Sequence, residues 1–260
     1  MNWALKRQLL YGSIALACVA FLAFLIIYPY FNKAPICTDG KQNGTETGVD
    51  CGGSCQLACV YQVDELSILW ARAFRVVPGR YNAVAYLENH NPKAAIYRIN
   101  YRFRFADKDN VYIGKREGQT FIPPSGKFGV FEAAIDLGNS VPVYTTFEFS
   151  DMPTWIQTNE ATMNELNVSV TDIKLEDEST SPRLSAVVKN DSLFQIPAVN
   201  VIAILYDAAG NAVNASRTFI DQLDRESGRE VNFTWVEPFT EKIIQKEIIP
   251  MYDIFSVKLK

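Results

Sequence analysis

Cysteine carries the densest chemical potential in this chain. Cys37, Cys51, Cys55 and Cys59 crowd into CTDGKQNGTETGVDCGGSCQLAC, and the roughly two hundred residues that follow contain none. An even, clustered count in an oxidising compartment is the pattern of a disulfide framework, with three pairings open to four cysteines. As thiolates the same sulfurs could close a tetrahedral zinc site, because Cys51-x3-Cys55 and Cys55-x3-Cys59 fall inside the usual ligand spacing. No Cys-x-x-Cys is present, so a catalytic dithiol is not indicated. Calcium is a further alternative: Asp39, Asn43, Gly44 and Asp50 fall at positions 1, 5, 6 and 12 of a twelve-residue calcium loop. Against it, Lys41 places a cation where a ligand oxygen belongs, and Asp50 is shorter than the bidentate Glu of such loops. The competing reading takes Asp39-Gly40 and Asn43-Gly44 as tight-turn dipeptides.

Elsewhere the residues argue against catalysis, and the chain is expected not to be an enzyme. The single histidine, His90, sits in the turn ENHNPK without an evident base or metal partner. No G-x-S-x-G elbow, phosphate-cradling G-x-x-x-x-G-K-[ST] or H-E-x-x-H occurs. Glu176-Asp177-Glu178 and the pair Asp107/Asp109 could supply the two carboxylates of a glycosidase. Adjacent acids in turns, however, read as solvated groups, so an envelope hydrolase stays the lesser alternative. Arg98, Arg102 and Arg104 alternate along one strand and form the candidate binding surface, since guanidinium matches carboxylate and phosphate geometry. Cross-strand acids would neutralise them. Five N-x-[ST] triplets begin at Asn43, Asn167, Asn190, Asn214 and Asn232 and would matter only in a glycosylating secretory route.

The compartment follows from the run LLYGSIALACVAFLAFLIIYPYF, which carries no charge from Leu9 to Phe31. Crossing a hydrocarbon core of roughly 30 Å takes about 20 apolar helical residues, so residues 9–31 are expected to span a bilayer. A cleaved signal peptide would have a shorter apolar region. Ala15-Leu16-Ala17-Cys18 resembles a lipobox, yet the apolar run continues well past Cys18. Lys6 and Arg7 precede the span and are expected to stay in the cytoplasm, with Lys33 arguing the other way and Tyr28 and Tyr30 as interfacial anchors. The expected topology is single-pass, N-terminus cytoplasmic and C-terminus extracytoplasmic. The formal net charge is −4, and it becomes more negative once Lys6 and Arg7 are set aside. An acidic exterior argues against nucleic acid, and none is expected as a partner, because phosphate binding needs a concentrated basic face. An envelope protein or polysaccharide remains open as a partner, and no cofactor is expected unless the acidic loop takes calcium.

The string C-x-D-G-x-x-N-G-x-E-T-x-x-D-C-G-G-x-C, from Cys37 through Asp39, Asn43, Glu46 and Asp50 to Cys55, resembles a short cysteine-rich module of secreted and surface bacterial proteins, often found beside β-sandwich repeats. The resemblance implies an exterior location and no defined activity.

Beyond the module the apolar period becomes two. Tyr97, Ile99, Tyr101, Phe103 and Phe105 alternate with Arg98, Asn100, Arg102 and Arg104, predicting a strand with one buried aromatic face and one basic face. Asp107-Lys108-Asp109-Asn110 then turns the chain. About one hundred residues later Val199, Val201, Ala203 and Leu205 alternate, and Asp207-Ala208-Ala209-Gly210-Asn211 turns it again. Polar turns precede both strands, ENHNP and KNDS, and Ser125-Gly126 and Ser227-Gly228 follow both. A domain-sized period means duplication. Short strands separated by turn signals predict β-sandwiches. The expected organisation is a cytoplasmic stub and anchor over 1–32, a cysteine-rich stalk over 33–60, a β-sandwich over 61–151, a linker over 152–165 and a second sandwich over 166–260.

Ala203-Ile204-Leu205-Tyr206-Asp207 resembles the signature of the FxLYD family of extracytoplasmic bacterial β-sandwich domains, which share an architecture with the late-embryogenesis-abundant-like fold. Leu205, Tyr206 and Asp207 match, with Ala203 in place of Phe; in the first repeat Phe103 and Asp107 match, with Phe105 and Ala106 in place of Leu and Tyr. The resemblance implies a fold and a compartment without an active site. The fold class expected is therefore mainly β: a transmembrane helix, a small disulfide-rich segment and two tandem Ig-like or FxLYD-like sandwiches. The function expected is that of a membrane-anchored binding or scaffold protein of the cell envelope, with a calcium-responsive adhesion module as the alternative.

Overall fold

A helix, α1 (Trp3–Phe31), opens the chain, and thirteen strands follow it in a computed structural model that describes residues 3–31, 36–159, 163 and 165–258. The stretch Arg7–Pro29 of α1 is long and apolar enough to cross a membrane, as either an anchor or a signal sequence would be. Its 23 residues reach roughly 34 Å at 1.5 Å each, slightly more than a hydrocarbon core. Cys18 is exposed on the helix surface. Lys33, and the side chains of Lys6 and Tyr30, lie outside the described residues.

The chain divides into two units, Met1–Cys59 and Val60–Lys260. The second contains all thirteen strands. β1 (Ser67–Val77), β2 (Arg80–Asn89) and β5 (Gly126–Asp136) form one sheet in the order β1-β2-β5. β4 (Tyr112–Ile122), β3 (Ala94–Ala106) and β6 (Tyr144–Phe149) form its partner, and β7 (Ile156–Gln157) pairs with the start of β3. Between these sheets Leu87, Ile99, Phe103, Phe105, Phe128 and Phe147 are buried. The alternation expected on β3 holds from Ile99 to Phe105, whereas Tyr97 is half exposed because the ladder shifts register between Ile96 and Ile99. An irregular ladder lets both Ile96 and Ile99 turn inward.

The same wiring returns in β8 (Val168–Glu176), β9 (Arg183–Asn190), β10 (Ile196–Tyr206), β11 (Ala212–Leu223), β12 (Ser227–Thr234) and β13 (Gln245–Met251), as sheets β12-β9-β8 and β11-β10-β13. Duplication reaches single atoms. Asp107 Oδ1 accepts the N–H groups of Asp109 and Val111, and Asp207 Oδ1 accepts those of Ala209 and Asn211. Asn89 and Asn190 are buried at the ends of β2 and β9, each side chain bonded to the backbone two residues on and to the carbonyls of neighbouring loops. The two Ser-Gly pairs are not equivalent: Ser125 N–H donates to Asn91 O as Glu226 N–H donates to Ser192 O, and both residues hold positive φ. The structural counterpart of Gly126 is thus Ser227, one residue short of the match that sequence suggests; Asn89 faces Gly126 and Asn190 faces Ser227.

The copies are packed face to face. On β10, Val199, Val201, Ala203 and Leu205 belong to the second copy's own core, while Ile202, Ile204 and Tyr206 on the opposite face are buried too. They meet the outer face of β1-β2-β5. Tyr86 and Tyr206 donate their hydroxyls to the two oxygens of Glu247. Arg72 donates to Ala212 O at 3.0 Å, and Arg217 lies over the Phe131 ring at 5.4 Å. A Cβ on Gly129 would stand 3.1 Å from Ile202 Cδ1, so the approach is close because Gly129 is small. The expected linker is itself partly built into this arrangement: Trp155 is buried, β7 pairs with β3, and residues 160–162 and 164 lie outside the described residues.

Candidate functional site

Three places could do chemistry: the cysteine module, the arginine strand and the junction between the copies. In the module, Cys37 bonds to Cys55 and Cys51 to Cys59, so the two bridges interlock along the chain. All four sulfurs are thereby consumed, and no thiolate remains among them to close a zinc site. Only glycine suits the turn between the bridges. A Cβ at Gly52 would stand 1.7 Å from Thr47 Oγ1, and one at Gly53 would stand 1.9 Å from Thr45 O, both at positive φ.

The acidic loop spends its oxygens on its own backbone. Asp50 Oδ1 accepts the Asp39 N–H at 3.0 Å and its Oδ2 accepts the Gly40 N–H at 2.9 Å. Asp39 accepts the Lys41 N–H and the Asn43 side-chain amide, at 3.0 and 2.9 Å. Asp39, Asn43 and Asp50 therefore come together as a hydrogen-bonded turn. Glu46 sits buried nearby, its Oε2 accepting the Asn43 N–H at 3.0 Å. Its neighbours Cys37 and Cys55 lie within ligand distance of it, but their sulfurs are bonded to each other.

The arginine strip divides. Arg102 Nε meets Glu117 at 2.6 Å and its Nη1 meets Glu148 at 3.3 Å; Arg104 Nη2 meets the same Glu148 oxygen at 2.8 Å, and Lys115 meets Glu117 at 3.1 Å. Three cations thus share two carboxylates across β4, β3 and β6. These contacts hold Glu117 below the usual carboxylate range and raise Arg102 further. Exposed pairs of this kind add little stability, about 0–1 kcal/mol each. Arg98 lies apart from them, with its guanidinium 5.5 Å from the Tyr97 ring centre.

At the junction a cleft of about 550 Å³ opens between β1 and β2 of the first copy and the β10–β11 turn and β12–β13 loop of the second. Its charges are largely matched inside the protein: Arg75 Nη2 meets Glu237 at 2.8 Å, and Asp207 accepts two backbone N–H groups that hold its carboxyl below the usual range. Trp235 packs on the second core, edge-on to Phe239 at 5.2 Å, and donates its indole N–H to Asn214 Oδ1 at 2.8 Å. The loop carrying Trp235 and Phe239 is where the copies diverge. β12 ends at Thr234, whereas its counterpart β5 runs on to Asp136. Sequence reasoning missed this site because its two walls lie far apart in the chain; the available signal was the WVEPF aromatic cluster directly after a strand.

The fold and site define a class: a pair of identically wired β-sandwiches locked at one junction, in a chain that also carries an apolar helix and a doubly bridged cysteine module. No protein-family model matches the chain, and no curated protein matches it. Among solved structures it is similar to red sea bream transglutaminase (TM-score 0.24, 8% identity, covering 72% of this chain and 29% of that one). It is also similar to a putative β-galactosidase from Bacteroides fragilis (TM-score 0.23, 12% identity, 70% and 35%). A glycosyl hydrolase family 2 member from Bacteroides cellulosilyticus gives TM-score 0.23, 10% identity, 70% and 26%. The chain thus spans about a third or less of each of these proteins, and likeness at this level assigns neither family nor activity.

Proposed function

We propose that the chain is a single-pass, membrane-anchored, extracytoplasmic binding and scaffold protein without catalytic activity. The observation that carries this reading is the succession along one chain of a membrane-length apolar helix, a module closed by two interlocked disulfides, and a double sandwich with buried faces. Disulfides persist where the milieu is oxidising, which favours the sandwiches lying outside and the N-terminus in the cytoplasm. The module is too short to bury a core of its own, and its bridges restrict the unfolded chain instead. The single histidine, His90, meets Ser67 Oγ through Nε2 at 3.3 Å, and among the described residues no acid hydrogen-bonds its other ring nitrogen to complete a triad.

Topology decides the matter. In intact cells, added protease should digest a C-terminal epitope, and alkylation without reductant should leave the four clustered cysteines unlabelled. Protection of the epitope together with four labelled thiols would overturn the reading.

A further inference from the structure

We propose that the junction cleft binds a neutral saccharide. This deepens the binding reading above and rests on it. The cleft's volume of about 550 Å³ lies within the range of small-ligand sites, roughly 300–1,000 Å³. What matters is the chemistry its walls leave available.

Trp235 has given its indole N–H to Asn214, so the ring offers the cleft carbon surface alone. Arg75 is paired with Glu237, Arg72 is bound to Ala212 O, and Asp207 is held by its own turn. Among the described residues, no hydrogen bond joins the hydroxyls of Ser216, Thr234 or Thr240 to the protein, and all three line the cleft. The site therefore pairs an aromatic ring with neutral hydroxyls, beside two arginines and three carboxylates of which Arg75 and Glu237 are paired with each other. A sugar ring has the matching surfaces: an apolar C–H face for the indole, and a rim of hydroxyls that donate and accept. An anionic ligand would meet a lining of net negative formal charge, Asp207, Glu237 and Glu241 against Arg72 and Arg75. A wholly apolar ligand would strip water from the threonine hydroxyls without replacing their hydrogen bonds.

The second wall comes from the first copy. Asn82 reaches across the junction, its Nδ2 donating to Ala215 O at 3.5 Å while its Oδ1 accepts the Ala134 N–H at 3.2 Å. The cleft therefore keeps its shape only while the copies stay docked, and an isolated second copy would lack the wall that Arg72, Arg75, Val76 and Asn82 supply. Preorganised walls of this kind lower the ordering cost of binding.

The test uses the detergent-solubilised full chain and titration calorimetry with maltotetraose, cellotetraose and N,N′-diacetylchitobiose, with polygalacturonate as the anionic comparison. At least one neutral sugar is expected to bind saturably at one site per chain. Trp235→Ala is expected to weaken it about tenfold or more, a loss of roughly 1.4 kcal/mol. Because Trp235 also packs on the core, the variant Thr234→Val/Thr240→Val serves as the second arm: it preserves side-chain shape, removes two hydroxyls, and should weaken binding several-fold with an unchanged urea midpoint. Silence of all neutral sugars up to about 10 mM, binding of the polyanion alone, or binding unaltered in the double-valine variant would each overturn the proposal. A silent panel beside a digested C-terminal epitope would remove the saccharide and leave the anchored topology standing.

Discussion

Replacing Asn190 by Ala empties a heavily bonded position in the second sandwich. The side chain is fully buried; its amide donates to the carbonyls of Phe194, Asp224 and Leu223 at 2.8, 3.0 and 3.3 Å. Its oxygen accepts the Ser192 N–H at 3.1 Å and the Ser192 hydroxyl at 2.6 Å. Alanine leaves the N–H and at least two carbonyls short of partners, at about 1–3 kcal/mol for each buried group. The Ser192 hydroxyl also bonds Phe194 O and can compensate in part, so a net loss of about 3–5 kcal/mol is expected, a large share of a typical 5–15 kcal/mol stability. Asn190→Asp separates bonding from packing, because it keeps the shape and one acceptor but turns an oxygen toward three carbonyls. Burial raises the folded pKa of that carboxyl, so the penalty is full at neutral pH and fades as acid protonates it, letting it donate. Urea unfolding of the solubilised chain, followed by tryptophan fluorescence at pH 7 and pH 4, measures both variants. If Asn190→Asp at pH 7 stayed within about 0.5 kcal/mol of the parent, the hydrogen-bond reasoning would be wrong.

Other outcomes follow from the junction and the module. Gly129→Val should press on Ile202 and cost about 1–3 kcal/mol, with Ile202→Ala restoring part of the loss in a double-mutant cycle by denaturation. The Tyr86, Tyr101 and Tyr206 hydroxyls donate to glutamates, and burial first, then those carboxylates, raise all three above the ordinary tyrosine range. A raised folded pKa stabilises below the unfolded value and is lost above it, so the melting temperature should hold to about pH 10 and fall beyond it. Opening either bridge, across separations of 18 and 8 residues, should cost about 3 kcal/mol within the module, read as protease sensitivity of the cysteine segment after mild reduction. Chelation should leave the melting temperature unchanged, because Asp39 and Asp50 already serve backbone N–H groups; a clear fall in EDTA, reversed by calcium, would restore the metal reading.

Much of the fold was legible because each copy punctuates itself with local chemistry. Asp107 and Asp207 announce their turns through side-chain bonds that span four residues, and β3 displays period-two alternation because its outer face meets water. The junction was harder to read. β10 is apolar on both faces between Val201 and Tyr206, and such a run signals burial without saying what covers the second face. Disulfide pairing was equally silent, since three connectivities fit one spacing and tertiary turns at Gly52 and Gly53 choose among them. Buried Asn190 reads in sequence as the start of a glycosylation triplet, yet its amide and Ser192 face inward, where no glycan could attach.

The junction joins unlike faces, the first copy giving β1-β2-β5 and the second β11-β10-β13. A head-to-tail contact between unlike faces has no symmetry to close it, so repeated copies could in principle stack without end. The outward side of each sandwich is charged: Arg102, Arg104, Glu117 and Glu148 on one flank, exposed Lys189 and Glu230 on the other. Any third sandwich docking there would have to dehydrate those charges. The charged outer faces thus oppose the open-ended stacking that the junction's unlike faces would otherwise permit.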